Sequence, residues 1–143
     1  MRLQVVTTEW DPVSAAIRFS TRSWASHVEF LLDDGRTFGA KKDGVKYRLA
    51  SACRHYTRVE LYTAPGIEDA FLWATSQSGK PYDFSAIFGI ALDRDWRQTD
   101  SWFCSELVAA AFEQVSMPIL NPGTVVWRVT PRDILLSLAV ERL

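Results

Sequence analysis

The sequence predicts an α+β fold in a single domain covering residues 1–143. Two observations support this prediction: strand-like segments are concentrated in the first half of the chain, and helical spacing of apolar residues in the second. A length of 143 residues, with 48% hydrophobic and 23% charged residues, is typical of one compact globular domain. We therefore expect an antiparallel sheet, built largely from the first half, with helices packed against it.

The first half contains short segments rich in β-branched and aromatic residues, separated by turn signals. Asp33-Asp34-Gly35 predicts the turn of a β-hairpin, and Asp43-Gly44 predicts a second turn. The segments predicted as strands are Leu3–Thr7, Ala15–Ser20, Ser26–Leu32, Arg36–Ala40, Val45–Leu49 and Arg58–Tyr62.

The second half contains most of the helical signals. Apolar residues recur at helical spacing after Pro65-Gly66 and again after Asp100-Ser101, which can cap the second helix. Thr130-Pro131 supplies an N-cap and a first-turn proline for a last helix. The predicted elements are a helix from Ile67 to Gly79, a helix at Cys104–Val115, a strand at Thr124–Val129 and a helix at Ile134–Val140.

Charge and hydropathy argue against several classes of function. The net charge of −1 offers no basic surface for nucleic acid, and no stretch approaches the roughly 20 apolar residues of a membrane span. The N-terminus lacks the apolar core of a signal peptide, so we expect synthesis in the cytoplasm. In that compartment the two cysteines, Cys53 and Cys104, are expected to be free thiols.

Cys104 is the candidate nucleophile. It stands at the start of a predicted helix, directly after two aromatic residues. The positive end of a helix dipole lowers the pKa of a thiol, and the unpaired N–H groups there can stabilise an oxyanion. A buried structural cysteine on the apolar side of the helix is the alternative that position alone leaves open.

His27 is the candidate base for this thiol. It begins a predicted strand, and alternation places His27 and Glu29 on one face of that strand. From this polar face a histidine could reach a helix N-terminus packed across it, although a hydrogen-bonded structural histidine is the alternative. His55, the other histidine, lies in a predicted loop and is expected at the surface.

The sequence offers little for other chemistries. Cys53-x-His55 provides two ligands without partners at zinc spacing, so we expect no metal site. There is no P-loop and no Rossmann glycine pattern, and no cofactor is expected. The charged segment Asp93–Arg97 is predicted to be a solvated loop, with a wall or lid of the substrate groove as the alternative.

The combined motifs resemble the NlpC-type papain-like cell-wall peptidases, in the circularly permuted branch that includes YaeF/YiiX-like amidases and phage-encoded relatives. In the unpermuted enzymes, Gly-x-Pro-Tyr and an aromatic-x-Cys-Ser-x-Leu-Val helix precede a Ser-His-Val strand with a glycine hairpin. Here the same blocks occur in the opposite order over roughly residues 24–115. They are Ser26-His27-Val28 with the Asp34-Gly35 hairpin, then Gly79-Lys80-Pro81-Tyr82-Asp83, then Phe103-Cys104-Ser105-Glu106-Leu107-Val108.

This resemblance implies a circularly permuted papain-like fold and assigns roles to individual residues. Tyr82 matches the family tyrosine whose hydroxyl faces the active site and helps to bind substrate or oxyanion; a packed turn tyrosine is the alternative. The family's third polar residue, which orients the histidine ring, aligns with Gly39, which has no side chain. We expect Glu29 to replace it and to hold the Nδ1–H tautomer of His27, unless Glu29 faces solvent. Glu106 is a weaker candidate for fixing the helix or contacting substrate.

The implied function is that of a cysteine-dependent amidase or endopeptidase, acting on bacterial peptidoglycan peptides through a thiol acyl-enzyme. A phage or prophage enzyme, delivered to the cell wall by other proteins, would fit. The lecithin:retinol acyltransferase-like proteins share the permuted scaffold, so acyl transfer or hydrolysis on lipid or thioester substrates is one alternative. A non-catalytic phage structural module with a decayed triad is another. Gly39 favours this last alternative, whereas the presence of Cys104, His27 and Tyr82 together argues against it.

Overall fold

The computed structural model describes residues 1–9, 11–53, 55–86 and 100–143. These residues form an α+β domain with one antiparallel sheet, as predicted. The strands are β1 (Arg2–Thr8), β2 (His27–Leu31), β3 (Arg36–Lys41), β4 (Gly44–Leu49), β5 (Tyr56–Thr63) and β6 (Glu141–Arg142). The α-helices are α1 (Pro12–Thr21), α2 (Ile67–Thr75), α3 (Cys104–Gln114) and α4 (Pro131–Leu136), with short 3₁₀ helices at Ala50–Ala52 and Val126–Arg128.

The strand order across the sheet is β4-β3-β2-β1-β5-β6, and all paired neighbours are antiparallel. β2 is therefore an interior strand, and its first residue, His27, pairs with Val6 of β1. Because side chains alternate along a strand, His27 and Glu29 share one face of β2, opposite Val28 and Phe30. The predicted candidate residues of β2 thus lie inside the sheet and are covered from both sides.

The segment Ala15–Ser20, predicted as a strand, lies within helix α1, so that prediction is wrong. The helix begins at an N-cap Asp11, whose carboxylate accepts a hydrogen bond from the Val13 N–H at 3.0 Å, followed by a proline at the first helical position. Its buried residues, Ser14, Ile17 and Thr21, recur at helical spacing. The cap and this spacing together outweigh the aromatic and β-branched residues that suggested a strand.

Helix α3 is the central helix of the domain. Nine consecutive residues, Cys104–Phe112, are buried, and the helix packs against α2, β2 and β3. A hydrogen bond of 2.6 Å from Ser105 Oγ to the Val129 carbonyl ties its first turn to the C-terminal part of the chain. A helix buried on every side is held in a single position, and its N-terminus is fixed with it.

The structure corrects several further boundaries. Thr124–Val129 forms no strand and contains a 3₁₀ turn, because no strand of the described residues pairs with it. The Asp100-Ser101 pair does not cap α3, since Asp100 adopts a left-handed φ of 70° and Phe103 is the N-cap. Helix α2 ends at Thr75, four residues before the predicted end at Gly79. Helix α4 is capped by Thr130 as predicted, but it spans Pro131–Leu136 and not Ile134–Val140. Strand β6 was not predicted from the sequence. Among these residues no helix is long and apolar enough to cross a membrane.

Candidate active site

Cys104 is the first residue of α3, and its side chain is almost fully buried, with 1% exposure. The N-cap residue is Phe103, and a phenyl ring cannot accept a hydrogen bond from the first-turn N–H groups. Glu106 in the first turn accepts a hydrogen bond from the Phe103 N–H at 3.3 Å. The thiol therefore lies beside backbone donors and the positive end of the helix dipole, where an oxyanion would be stabilised.

His27 interacts with both Cys104 and Glu29. Its Nε2 lies 3.5 Å from Glu29 Oε2, a long contact in which both the proximity and the charge of the carboxylate favour the charged ring. Burial disfavours the charged imidazole. The charge of Cys104, and the contacts of the ring with Cys104 and Glu29, outweigh burial and raise the pKa of His27 to about 9. This favours a protonated imidazole at neutral pH, beside the thiol.

Glu29 is fully buried and is held by polar groups from three other strands. Its Oε1 accepts hydrogen bonds from Tyr56 OH at 2.7 Å and from Gln4 Nε2 at 3.2 Å, and its Oε2 lies 3.0 Å from Lys41 Nζ. Burial disfavours the carboxylate, but His27, Lys41 and Tyr56 hold its pKa well below its usual range. Glu29 is therefore a buried, ionised partner of His27 and does not face solvent.

The absence of a side chain at Gly39 is explained by Glu29. A Cβ at position 39 would lie 2.8 Å from the Cβ of Glu29, which is closer than real Cβ contacts allow. The two positions lie side by side on β3 and β2, so one side chain fills the space at the expense of the other. The space beside Gly39, where the family's third polar residue would place its side chain, is therefore filled by Glu29 from the neighbouring strand.

One detail of the Glu29 prediction is wrong. The carboxylate was expected at Nδ1 of His27, but it faces Nε2. Residues two apart on one face of a strand are separated by about 7 Å between Cα atoms, so only the distal ring nitrogen reaches along the strand. The effect on the pKa of His27 has the same direction, because a carboxylate beside either ring nitrogen favours the charged imidazole.

Tyr82 lies close enough to Cys104 for the charge of the thiol to act on its phenol. It forms an isolated parallel bridge with Trp102, two residues before Cys104, and its side chain is buried. Burial, followed by the negative charges of Cys104, Asp11 and Asp83, raises the pKa of Tyr82 well above its usual value. The phenol therefore stays neutral and can donate a hydrogen bond near Cys104.

The remaining candidates have simpler environments. Glu106 is buried and fixes the start of α3, which is one of the two roles expected for it. His55 is exposed, and both Cys53 and Cys104 are free thiols, as predicted. The segment Asp93–Arg97, predicted as a loop or lid, lies outside the described residues.

Sequence reasoning missed the groups that hold Glu29, namely Lys41, Tyr56 and Gln4. Lys41 was detectable in part, because it stands two residues after Gly39 on β3 and alternation places both on one face. Tyr56 and Gln4 come from β5 and β1, and only the strand order brings them to Glu29. That order is not readable from local patterns.

Comparison with known proteins supports the fold. No protein-family model matches the chain, and no curated protein matches it in sequence. A similar solved structure is the crystal structure of metalloprotein yiiX from Escherichia coli O157:H7, DUF1105. The two agree with a TM-score of 0.73 and 17% sequence identity, over 99% of this chain and 94% of that chain. At this identity the similarity establishes a YiiX-like α+β fold, in agreement with one of the groups that the sequence motifs resemble.

Proposed function

We propose that this protein is a cysteine-dependent amide hydrolase of the permuted papain-like type, with Cys104 as nucleophile and His27 as its base. The observation that carries the proposal is the contact of His27 with both Cys104 and a buried, ionised Glu29. A histidine whose pKa is raised beside a thiol favours a thiolate–imidazolium pair at neutral pH. A structural histidine would not need a buried carboxylate at this position, since burying a charge is costly.

Acylation begins when the Cys104 thiolate attacks the carbonyl carbon of the scissile amide. The developing oxyanion is stabilised by backbone N–H groups at the start of α3, with the neutral Tyr82 hydroxyl as an additional donor. His27 then transfers its proton to the leaving nitrogen, the C–N bond breaks, and an acyl-enzyme thioester remains. Glu29 stabilises the imidazolium until that proton leaves.

Deacylation uses the same groups in the opposite direction. With His27 now neutral, the ring accepts a proton from a water molecule that attacks the thioester carbon. The carboxylic acid product is released, and the proton on His27 restores the thiolate–imidazolium pair. Each cycle therefore consumes one water and breaks one amide bond, and no redox partner is needed.

Peptides of bacterial peptidoglycan are the substrate class that we propose. The support is the resemblance of the Gly79–Asp83 and Phe103–Val108 motifs to the cell-wall peptidases, together with the YiiX-like fold. The thiol chemistry would serve lipid esters or thioesters equally well. Incubation with purified muropeptides, and separately with acyl-lipids and acyl thioesters, distinguishes the two: release of a free amine from the muropeptides alone supports the proposal.

The described residues do not fit a metal centre, although yiiX is called a metalloprotein. The three potential ligands here are Cys104, His27 and Glu29, but Lys41 Nζ already lies 3.0 Å from Glu29 Oε2, where a metal would have to bind. Elsewhere in the described chain no cluster of His, Cys, Asp or Glu is arranged to hold a metal ion.

The test of the proposal is the pH dependence of Cys104 alkylation by iodoacetamide, measured on the Cys104 peptide by mass spectrometry. Cys53 then needs no replacement, which matters because its Sγ lies 3.3 Å from Lys41 Nζ. The midpoint of the pH profile is the decisive quantity, since the burial of Cys104 can slow the absolute rate. A midpoint well below the ordinary thiol value of about 8.5 is expected.

Two histidine variants give matched controls. His27→Ala is expected to return the midpoint toward about 8.5, whereas His55→Ala, at an exposed histidine, should leave the wild-type profile unchanged. An ordinary thiol profile in the wild-type protein, unaffected by His27→Ala, would reject the activated pair and favour the non-catalytic module. Thiolate absorbance in the ultraviolet, compared with Cys104→Ser, measures the same midpoint without any reagent having to enter the site.

A further inference from the structure

Lys41 contacts the site at Glu29 Oε2, the same carboxylate oxygen that faces His27. It is the last residue of β3, and its side chain is only 20% exposed although lysine is usually a surface residue. Its Nζ lies 3.0 Å from Glu29 Oε2, 2.5 Å from Tyr56 OH and 3.3 Å from Cys53 Sγ. Three contacts fix the ammonium, and one of them is the carboxylate that faces His27.

The charges of these side chains alternate along a row of contacts. In the proposed resting state Cys104 is negative, His27 positive, Glu29 negative and Lys41 positive, and each is in contact with or close to the next. The row as a whole is neutral. Without the ammonium, the three other groups would leave one uncompensated negative charge in a buried place, which is strongly unfavourable.

We propose that Lys41 is a positioning residue that keeps Glu29 ionised and directed at His27, and thereby favours the thiolate form of Cys104. This inference rests on the proposed function, since it assigns Lys41 a role in the same reaction. Among the described contacts, Lys41 has none with the Cys104 thiol, and no bond to Lys41 forms or breaks in the proposed reaction. Its effect on Cys104 passes through Glu29 and His27.

The other polar groups around the row cannot replace the ammonium. Tyr56 donates to Glu29 Oε1, and burial, followed by the charge of Glu29, raises the pKa of its phenol, so it is neutral. Gln4, the second donor to Oε1, has no charge. The Cys53 thiol faces Lys41 and not Glu29. Besides His27, Lys41 is therefore the cation among the described contacts of Glu29.

The groups near the thiol end add negative charge. Tyr82 is neutral, and its raised pKa reflects the nearby charges of Asp11 and Asp83 as well as that of Cys104. Asp11 is paired with Lys42 at 2.7 Å and caps α1, while Asp83 Oδ1 accepts from the Ser85 N–H at 2.8 Å. Among the contacts of the described residues, the cations that compensate a Cys104 thiolate are therefore His27 and Lys41.

Two substitutions separate the charge of Lys41 from its packing. Lys41→Gln keeps a side chain that can donate to Glu29 Oε2 but removes the charge, and Lys41→Arg keeps the charge. We expect Lys41→Gln to raise the midpoint of Cys104 alkylation by about one pH unit, so that labelling below the midpoint slows roughly tenfold. Lys41→Arg should restore the wild-type midpoint. A merely structural lysine would change thermal stability in both variants without moving the midpoint.

A double variant tests whether Lys41 acts through Glu29. In a Glu29→Gln background the added Lys41→Gln change should not raise the midpoint further, because the carboxylate through which Lys41 acts is gone. This pair also keeps the test decisive if Lys41→Gln alone does not fold, because removing both charges avoids an unbalanced buried carboxylate. A further upward shift in the double variant would mean that Lys41 acts directly on the thiol, and the inference would be overturned.

The outcomes separate this inference from the function on which it rests. A wild-type midpoint near about 8.5 overturns the proposed function and this inference with it. A lowered wild-type midpoint that Lys41→Gln leaves in place overturns the inference alone. Both are supported by a lowered wild-type midpoint that rises in Lys41→Gln, returns in Lys41→Arg and rises no further when Lys41→Gln is added to Glu29→Gln.

Discussion

Two glutamates of the sheet have nearly the same hydrogen-bond partners but very different surroundings. Glu29 on β2 accepts from Tyr56 OH and contacts the Lys41 ammonium. Glu60 on β5 accepts from Tyr62 OH at 2.6 Å and from Arg58 at 2.5 and 3.0 Å. Each carboxylate therefore has one tyrosine and at least one cation, and residue types alone would not distinguish the two.

The difference lies in what covers them. Glu29 is fully buried in an interior strand, and burial is the largest influence on its pKa, opposed by His27, Lys41 and Tyr56. Glu60 is also nearly buried, at 8% side-chain exposure, but its cationic partner Arg58 is half exposed, at 50%. Its pKa is lowered chiefly by the Tyr62 hydroxyl, with burial a smaller opposing influence.

This comparison shows why only one of the two clusters can be a site. Where the cationic partner of a carboxylate is half exposed, as Arg58 is, water and ions screen the pair, so the pair contributes little. A buried carboxylate keeps its charge only through its neighbours, and it can therefore transmit charge to a neighbour in return. Glu29 has a histidine and a thiol at the end of that chain of contacts, and Glu60 has neither in the contacts of the described residues.

The largest effect expected from this contrast is that of Glu29→Gln on the thiol. The substitution removes the negative charge that faces both Lys41 and His27, so the imidazolium is disfavoured. Alkylation of Cys104 at about pH 6 should fall roughly tenfold or more. The rate is measured on the Cys104 peptide by mass spectrometry, with circular dichroism to check that the variant is folded.

Glu60→Gln is the matched control for this change. It makes the same chemical substitution beside a tyrosine and a cation, and the alkylation rate should stay at the wild-type value. Equal losses in the two variants would mean that any glutamate of the sheet supports the thiol through net charge, and the special place of Glu29 would have to be abandoned.

The pH dependence of stability should also differ between the two regions. The folded pKa of His27, about 9, lies above its ordinary value of 6.5. The stability that it contributes is fully present below about pH 6.5 and is lost as the pH rises through about 9. Glu60, whose pKa is lowered, contributes stability above about 4.5 that is lost toward acid, as does Glu29.

Urea unfolding at several pH values measures this window. The free energy of unfolding of the wild-type protein should fall between about pH 6.5 and 9, and in His27→Gln the slope over that range should largely disappear. A slope that persists in His27→Gln would assign the loss to another group. Glu60→Gln should keep the alkaline slope, because its carboxylate is ionised throughout that range.

Most of the fold could be predicted from local patterns, and the exceptions have specific physical causes. The hairpin around Asp33-Asp34-Gly35 and helix α3 follow from turn residues and apolar spacing. The strand predicted at Ala15–Ser20 is a helix, because the Asp11 cap and the proline after it outweigh the strand propensity of these residues. Strand propensity at Thr124–Val129 was equally misleading, because a strand exists only where another strand pairs with it.

The candidate site divides in the same way. The placement of Cys104 at a helix start, and of His27 and Glu29 on one strand face, follows from local sequence. The prediction that Cys104 and His27 contact each other depends on the family resemblance, since no local pattern determines which strand faces which helix. The strand order brings Lys41 and Tyr56 to Glu29, and the short distance between positions 39 and 29 explains the glycine at position 39. Neither can be deduced from local sequence.

A smaller effect is expected at Gly39, where the two strands of the site meet. In Gly39→Ala the new Cβ would lie 2.8 Å from Glu29 Cβ, so the strands must separate or the carboxylate must move. We expect a loss of about 2 kcal/mol in the free energy of unfolding, measured in urea. The same substitution in a Glu29→Gly background should cost clearly less, since the opposing Cβ is gone. An equal cost in both backgrounds would place the strain elsewhere.

The smallest effect concerns Thr37, on the same face of β3 as Gly39 and Lys41. Thr37 is fully buried, and its Oγ1 has no hydrogen-bond partner in the part of the chain that the structure describes. Thr37→Val exchanges this hydroxyl for a methyl group of similar size, so it should stabilise the protein by up to about 1 kcal/mol. Thr7→Val is the matched control, because Thr7 Oγ1 donates to the Trp24 carbonyl at 2.6 Å, and it should destabilise by a similar amount. If the free energy of unfolding in urea rises in Thr37→Val and falls in Thr7→Val, the Thr37 hydroxyl makes no stabilising hydrogen bond. If it falls in both variants, the Thr37 hydroxyl has a partner that contributes to stability.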